Sequence, residues 1–389
     1  MINITDRDAL LRTPPYWRLA FRPFFSLGAL VAALLIPLWL ASLNGLYSLP
    51  RPALWWHGHE MLLGFGPAIV AGFLLTAVQN WVGRPGLSGK PLVALVLSWL
   101  AARVLLLLPL PWYLPAFFDL AFNLGLVLAL WHYLKGPNQK HNRLLVLLPA
   151  LLLLLNGASY GLLADQALSH SRNLWLAVLV WFCLVMVVIG TRVMPFFTAR
   201  RAGLETPERN LKVMKLTLVA LAATAGCWLA GLDVAIWRWP ALIAAALLLW
   251  PLKDWYQKVI WQEPLLWSLW LAWLSLPLGL VLLAFLPQHQ SAILHLPAIG
   301  GMGLMMLGMM MRVSLGHTGR FVYGPPRLGW LLVLLFAGAL LRAFLPLAQP
   351  ALSNWAWLLA GGCWVLAFGG FFLRYLPMLA SARVDGQPG

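Results

Sequence analysis

Apolar residues in this chain come in long continuous runs, broken by short clusters of proline, glycine and charge. A run of about 20 mostly apolar residues is long enough to cross a bilayer as a helix. Twelve are predicted, over 24–43, 56–79, 90–109, 112–134, 143–164, 173–197, 212–231, 235–251, 264–286, 291–315, 328–347 and 354–376. No interval between them has room for a soluble domain. The expected fold class is therefore all-α, a polytopic membrane protein with one twelve-span domain over residues 1–389. Within it, 1–23 forms an N-terminal segment and 377–389 a C-terminal tail.

Composition agrees with the pattern. Of 389 residues, 62% are hydrophobic and 10% charged, more apolar side chain than a soluble core of ordinary size buries, so the lipid bilayer must act as solvent. A net charge of +16 raises the question of nucleic acid. The basic residues argue against it, being scattered through short loops with no dense patch interleaved with aromatics. If the spans alternate in direction, most of these residues fall on one side, from Arg7 and Arg22 through Lys140, Arg201 and Arg327 to Arg383. The other side receives little beyond Arg51, Arg172 and Arg238. The positive-inside tendency then predicts that both termini are cytoplasmic.

No cleavable leader is expected, since the first 22 residues carry both charge signs and lack a short apolar region followed by small residues. Cys183, Cys227 and Cys363 stand singly inside spans, without CxxC or CxxCH spacing, and read as small buried hydrophobes. The tryptophan pairs 55/56, 237/239 and 355/357 fall near span ends, where ring placement at headgroup level explains them.

Ionisable groups inside spans are costly, and each needs a reason. Span two opens with WHGHEM, placing His57, His59 and Glu60 in its first turn, at the outer leaflet in the expected topology. Span ten runs in the same direction and carries His295 about one turn deep, with His289 just before it. Neutral imidazole is a common ligand for haem iron and copper, so histidines from two distant segments at one depth suggest a metal region. On an ideal helix His57 and His59 lie about 200° apart. Either the turn is unwound or they serve different partners. Glu60 is a candidate to orient a ligating imidazole. The plain alternatives are a hydrated interfacial histidine pair and an acid stabilised at a helix N-terminus. The face shared by His57, Glu60, Gly64, Ala68, Ala71 and Gly72 is a small-residue stripe, open to close helix approach or to a macrocycle.

Span ten also holds Met302, Met305, Met306, Met309, Met310 and Met311. Their thioethers are soft donors for copper(I) or haem iron, or adaptable packing. At its far end His317 sits between Arg312 and Arg320 in a combination suited to haem propionates or a quinone headgroup, with a solvated loop histidine as the alternative. His295 and His317 are separated by roughly 33 Å along an ideal helix, opposite leaflets of a bilayer. Arg103 and Asp119, at matching depth on consecutive spans, are expected to pair, and Arg342 lies at similar depth in span eleven. His132, His141 and His170 read as ordinary loop residues.

Three stretches, WHGHEMLLGFGPAIVAGFLLTAVQNWVGRPGLSG, GTRVMPFFTAR and MGLMMLGMMMRVSLGHTGR, together with the FRPFF start at Phe21, resemble the NnrS family of bacterial membrane proteins over nearly the whole chain. Gly58 and Gln79 depart from the residues expected there, alanine and proline. The resemblance implies a multi-pass protein of the bacterial cytoplasmic (inner) membrane, with non-covalent b-type haem and copper, active in nitric oxide response, nitrosative stress and denitrification. On that basis His57, His59, His295 and His317 are the expected metal ligands, Arg312 and Arg320 further cofactor-binding residues, and Glu60 a supporting carboxylate. Nitric oxide and quinol are the expected partners, and an oxidoreductase converting nitric oxide the expected enzyme. A twelve-span transporter of a metal, haem or nitrosylated species is the rival from another class, and a sensor without turnover a third reading.

Overall fold

A computed structural model describes residues 12–323 and 328–387. Arg7 and Arg327, counted above among the one-sided basic residues, lie outside them, as do parts of the two terminal segments. Every regular element among the described residues is helical. This is what a membrane demands, because a backbone in lipid must satisfy its own N–H and C=O groups.

Among the described residues, twelve long helices follow one another. They are α1 (Phe21–Leu43), α2 (Ala53–Val82), α3 (Gly89–Leu105), α4 (Tyr113–Leu134), α5 (Leu144–Ala164), α6 (Ser171–Ala202), α7 (Leu211–Leu229), α8 (Val234–Leu249), α9 (Pro264–Phe285), α10 (Pro287–His317), α11 (Gly329–Ala348) and α12 (Ser353–Ala380). Eleven are long and apolar enough to cross a membrane. The exception is α3, which stops at 17 residues where the apolar run had suggested 90–109. Pro109 and Pro111 follow it, and proline both lacks the N–H that would extend a helix and pushes the residue before it out of helical geometry. At the end of α2 the helix runs past Gln79 to Val82 and is closed by Gly83 in the left-handed region (φ 66°).

The chain divides into two compact units. One comprises residues up to Ser171 with 310–322 and 368 onward; the other comprises 172–309 and 323–367. In the first, α1 packs on α2, α3 on α4 and α4 on α5. In the second, α7 packs on α8, α8 on α9, and α9 and α11 both lie against the start of α10.

Two helices are irregular in the same way. In α2 the α-helix Ala53–His59 gives way to a π-helical stretch, Glu60–Phe65, before α-geometry resumes at Gly66. In α10 the π stretch is Leu296–Gly303. The Gly66 N–H bonds Met61 O and the Leu304 N–H bonds Ile299 O, each five residues back. A proline lies beside or inside each stretch, Pro67 and Pro297. Having no N–H, it cannot close an ordinary i to i−4 bond, which favours the wider turn.

Candidate functional site

In both helices the residue immediately before the π stretch is a histidine, His59 in α2 and His295 in α10. Wide turns of this kind recur at functional sites because they redirect side chains and loosen the backbone ladder.

The first unit builds a charged cluster around His59, which is fully buried, as are Glu60 and Asp119. Arg103 enters from α3 and Asp119 from α4, and the Arg103 guanidinium lies 2.6 Å from Asp119 Oδ2 and 3.1 Å from Glu60 Oε1. The expected Arg103–Asp119 pair is therefore present, with Glu60 as a second carboxylate on the same cation. His59 Nε2 lies 3.3 Å from Asp119 Oδ2 and 3.2 Å from Asn156 Oδ1, and Nδ1 lies 3.6 Å from Glu60. From α5, the Tyr160 hydroxyl donates to Asp119 Oδ2 at 3.1 Å. The His59 ring is stacked on Trp55 (4.6 Å between centroids) with Tyr160 at its edge. Two carboxylates face one guanidinium, so one negative charge is left over unless a proton resides on His59 or on a carboxyl.

Gly64 explains how Arg103 gets in. A Cβ there would fall 1.9 Å from the guanidinium, and the Trp99 indole, one turn before Arg103, donates to the Gly64 carbonyl at 2.8 Å. The small-residue stripe thus serves close approach: Gly64 admits Arg103, and Gly72 admits Phe24 and Phe25.

His57 and His59 do serve different partners. The His57 ring lies face to face with Trp39 of α1 at 3.9 Å, half-buried, while His59 points into the charged cluster. His295 belongs to the second unit. Its Nδ1 lies 2.8 Å from the Ser291 carbonyl, which can only accept, so Nδ1 carries the proton and Nε2 is the basic nitrogen. Arg342 reaches the Ser291 hydroxyl at 3.5 Å and lies over Trp357. His317, at the other end of α10, packs against Phe21 at 5.6 Å, and its carbonyl accepts from Arg383. Arg312 is buried and Arg320 half-buried. Among the described residues, no three His, Cys, Asp or Glu side chains are grouped so as to hold a metal ion.

The chain matches the family model described as NnrS protein over residues 15–383. The chain belongs to the NnrS family. With eleven helices fit to cross a membrane, it is a multi-pass membrane protein of that family. No curated protein matches it.

Several residues of this NnrS-family site were not singled out by sequence reasoning. Asn156 and Tyr160 lie in α5, whose residues 144–164 carry no charge, so nothing marked it as a contributor. Trp55, Trp56 and Trp237 are buried within the protein, Trp55 stacked on His59, so packing adds to their position near span ends, while Trp239 and Trp355 are exposed. One signal was available. His59 and His295 each open the pattern His-x-x-x-x-Gly, HEMLLG and HLPAIG, with further glycines close behind.

Proposed function

We propose that this chain is a haem protein of the bacterial cytoplasmic membrane that binds nitric oxide, with His295 at the start of α10 in the second unit as an iron ligand and His57 at the start of α2 in the first unit as a separate candidate ligand. The observation that carries the reading is His295. Its proton is fixed on Nδ1 by the Ser291 carbonyl, which presents the basic Nε2, the form in which histidine ligates a metal and the second-shell arrangement that metal-bound histidines use. His57, held flat against Trp39, has its ring plane fixed in advance. His59 fits less well, because a metal at Nε2 would have to displace Asn156 and Asp119. The role it fits is to anchor the start of α2 to the charged cluster. His317, Arg312 and Arg320 form a separate candidate region for cofactor carboxylates.

A haem bound there would supply an iron that takes up nitric oxide and changes oxidation state. Nitric oxide is small and apolar and reaches such a site through lipid. For copper, the second metal that the family resemblance implies, the histidines and carboxylates among the described residues do not make a cage. The soft donors at hand are the buried thioethers of Met302, Met305, Met306 and Met309.

One observation favours the transporter class: a buried charged cluster inside the membrane is also what an ion-coupled carrier carries. Haem that stays bound in stoichiometric amount through purification decides for the haem protein. The test is single replacement of His57, His59, His295 and His317 by alanine, with haem per protein, copper per protein and the nitric-oxide-induced optical shift measured in each. Loss of haem with His295→Ala and His57→Ala is expected. Unchanged metal and spectra in all four variants would reject the assignment. Nitric oxide consumption that depends on added quinol separates an oxidoreductase from a sensor.

A further inference from the structure

At the end of the first unit opposite to His59, the start of α1 meets the last turn of α12. Arg22 is fully buried there. One of its nitrogens, Nη1, donates to the carbonyls of Leu379 (2.7 Å) and Ser381 (2.6 Å), the cation a helix C-terminus prefers. Capping explains that nitrogen and no more. Nε and Nη2 are buried without a hydrogen-bond partner. A guanidinium has five N–H donors and accepts nothing, and leaving charged donors unmet in a buried place is costly.

The surroundings deepen the deficit. Arg18, Arg320 and Arg383 all stand near enough to press their charge on Arg22. Arg18 is nearly buried, its Nε held by the Thr13 carbonyl. Arg383 is spoken for by Asp385, which it grips through two nitrogens, and by the His317 carbonyl. Four guanidiniums therefore face one carboxylate, and that carboxylate is taken. The turn after α10 is fastened to this corner, with the Val384 N–H bonding the Thr318 carbonyl. Arg320, half-buried, is engaged by a 3.4 Å contact to the Thr318 carbonyl.

We propose that Arg22, Arg18 and Arg320 form an anion site for a phosphate group, taken from the headgroup of an anionic phospholipid or from free phosphate. Phosphate suits the corner better than chloride because its several oxygens can meet guanidiniums from different directions and accept from the fork of Arg22. Basic pockets between membrane helices are where anionic headgroups bind. The inference goes beyond haem binding: it uses none of the histidines and shares only Arg320 with the candidate region for cofactor carboxylates.

The test uses the full chain, purified and stripped of lipid. Thermal unfolding is followed in nanodiscs of phosphatidylcholine alone or with phosphatidylglycerol, and in detergent with sodium phosphate or sodium chloride at equal ionic strength. Retained phosphatidylglycerol is counted by native mass spectrometry. The expected result is a raised midpoint with phosphatidylglycerol and one retained molecule per chain; a rise with inorganic phosphate alone supports the site with free phosphate as its ligand. Arg22→Gln and Arg320→Gln should each weaken the response at least tenfold in ligand concentration. Arg320→Gln removes a half-exposed side chain with one weak contact, so the folded protein survives it even if Arg22→Gln does not. No response to either phosphate source, or an undiminished response in Arg320→Gln, overturns the proposal. So does loss of haem from these variants with phosphate binding intact, which would assign the corner to a haem carboxylate. Haem content and phosphate response are separate readouts, and either can fail alone.

Discussion

Replacing Arg103 by methionine should damage this protein more than any other single truncation in the first unit. The side chain holds two fully buried carboxylates, Asp119 at 2.6 Å and Glu60 at 3.1 Å. At an effective dielectric of about 20, unit charges some 3 Å apart attract by about 5–6 kcal/mol, and desolvation of the ions offsets much of this. What truncation exposes is the uncompensated remainder: breaking a buried pair from one side costs about 3–5 kcal/mol, because the stranded charge stays behind. Methionine matches the aliphatic stem, so lost packing adds little. The folded fraction in mixed micelles, titrated with sodium dodecyl sulfate, measures the loss. The same titration on Asp119→Asn and on the double variant Arg103→Met/Asp119→Asn gives the coupling. The double variant should be more stable than Arg103→Met alone, since it removes one stranded charge, with Glu60 still present to keep part of the penalty. A loss below about 1 kcal/mol in Arg103→Met, or strictly additive effects in the cycle, would show that the cluster is hydrated and the reasoning wrong.

Other expectations follow from the same geometry. Gly64→Ala places a methyl 1.9 Å from the Arg103 guanidinium and should cost about 1–3 kcal/mol in the same titration. Gly161→Ala, whose added carbon meets nothing within 4 Å, should be neutral or stabilising by about 0.5–1 kcal/mol. Asp385 is held down to about 2 from an ordinary 3.8 by its hydrogen bonds with Arg383. A depressed folded value means the contact contributes above pH 4 and is lost as pH falls from there through 2. Hydrogen exchange over residues 381–387, corrected for its intrinsic pH dependence, should therefore stay flat from pH 7 to about 4.5 and rise below that, with no such step in Arg383→Gln. Tags on the two termini should both report the cytoplasm; a periplasmic signal from either would break the basic-side assignment.

What the sequence determined by itself is the part governed by the bilayer. A continuous apolar run can only be a helix in lipid, so the number, order and approximate limits of the twelve helices are legible in it, as is the depth of each charge. Depth alone predicted that Arg103 and Asp119 meet, since neither is tolerable unpaired. It also posed the right disjunction for His57 and His59, because helical periodicity forbids both from facing one partner. The sequence could not show which neighbour each helix turns its polar residues toward, because in lipid an Asn or Tyr on an apolar span carries no periodic signature. The tertiary structure decided that Asn156 and Tyr160 of α5 complete the cluster, that Glu60 shares Arg103 with Asp119, and that Gly64 is small for the sake of a guanidinium. It also decided the wide turns after His59 and His295. These depend on backbone bonds redistributed around Pro67 and Pro297 under the packing of neighbouring helices; the histidine, proline and glycine spacing marks where such a shift can occur, and only the packing decides that it does.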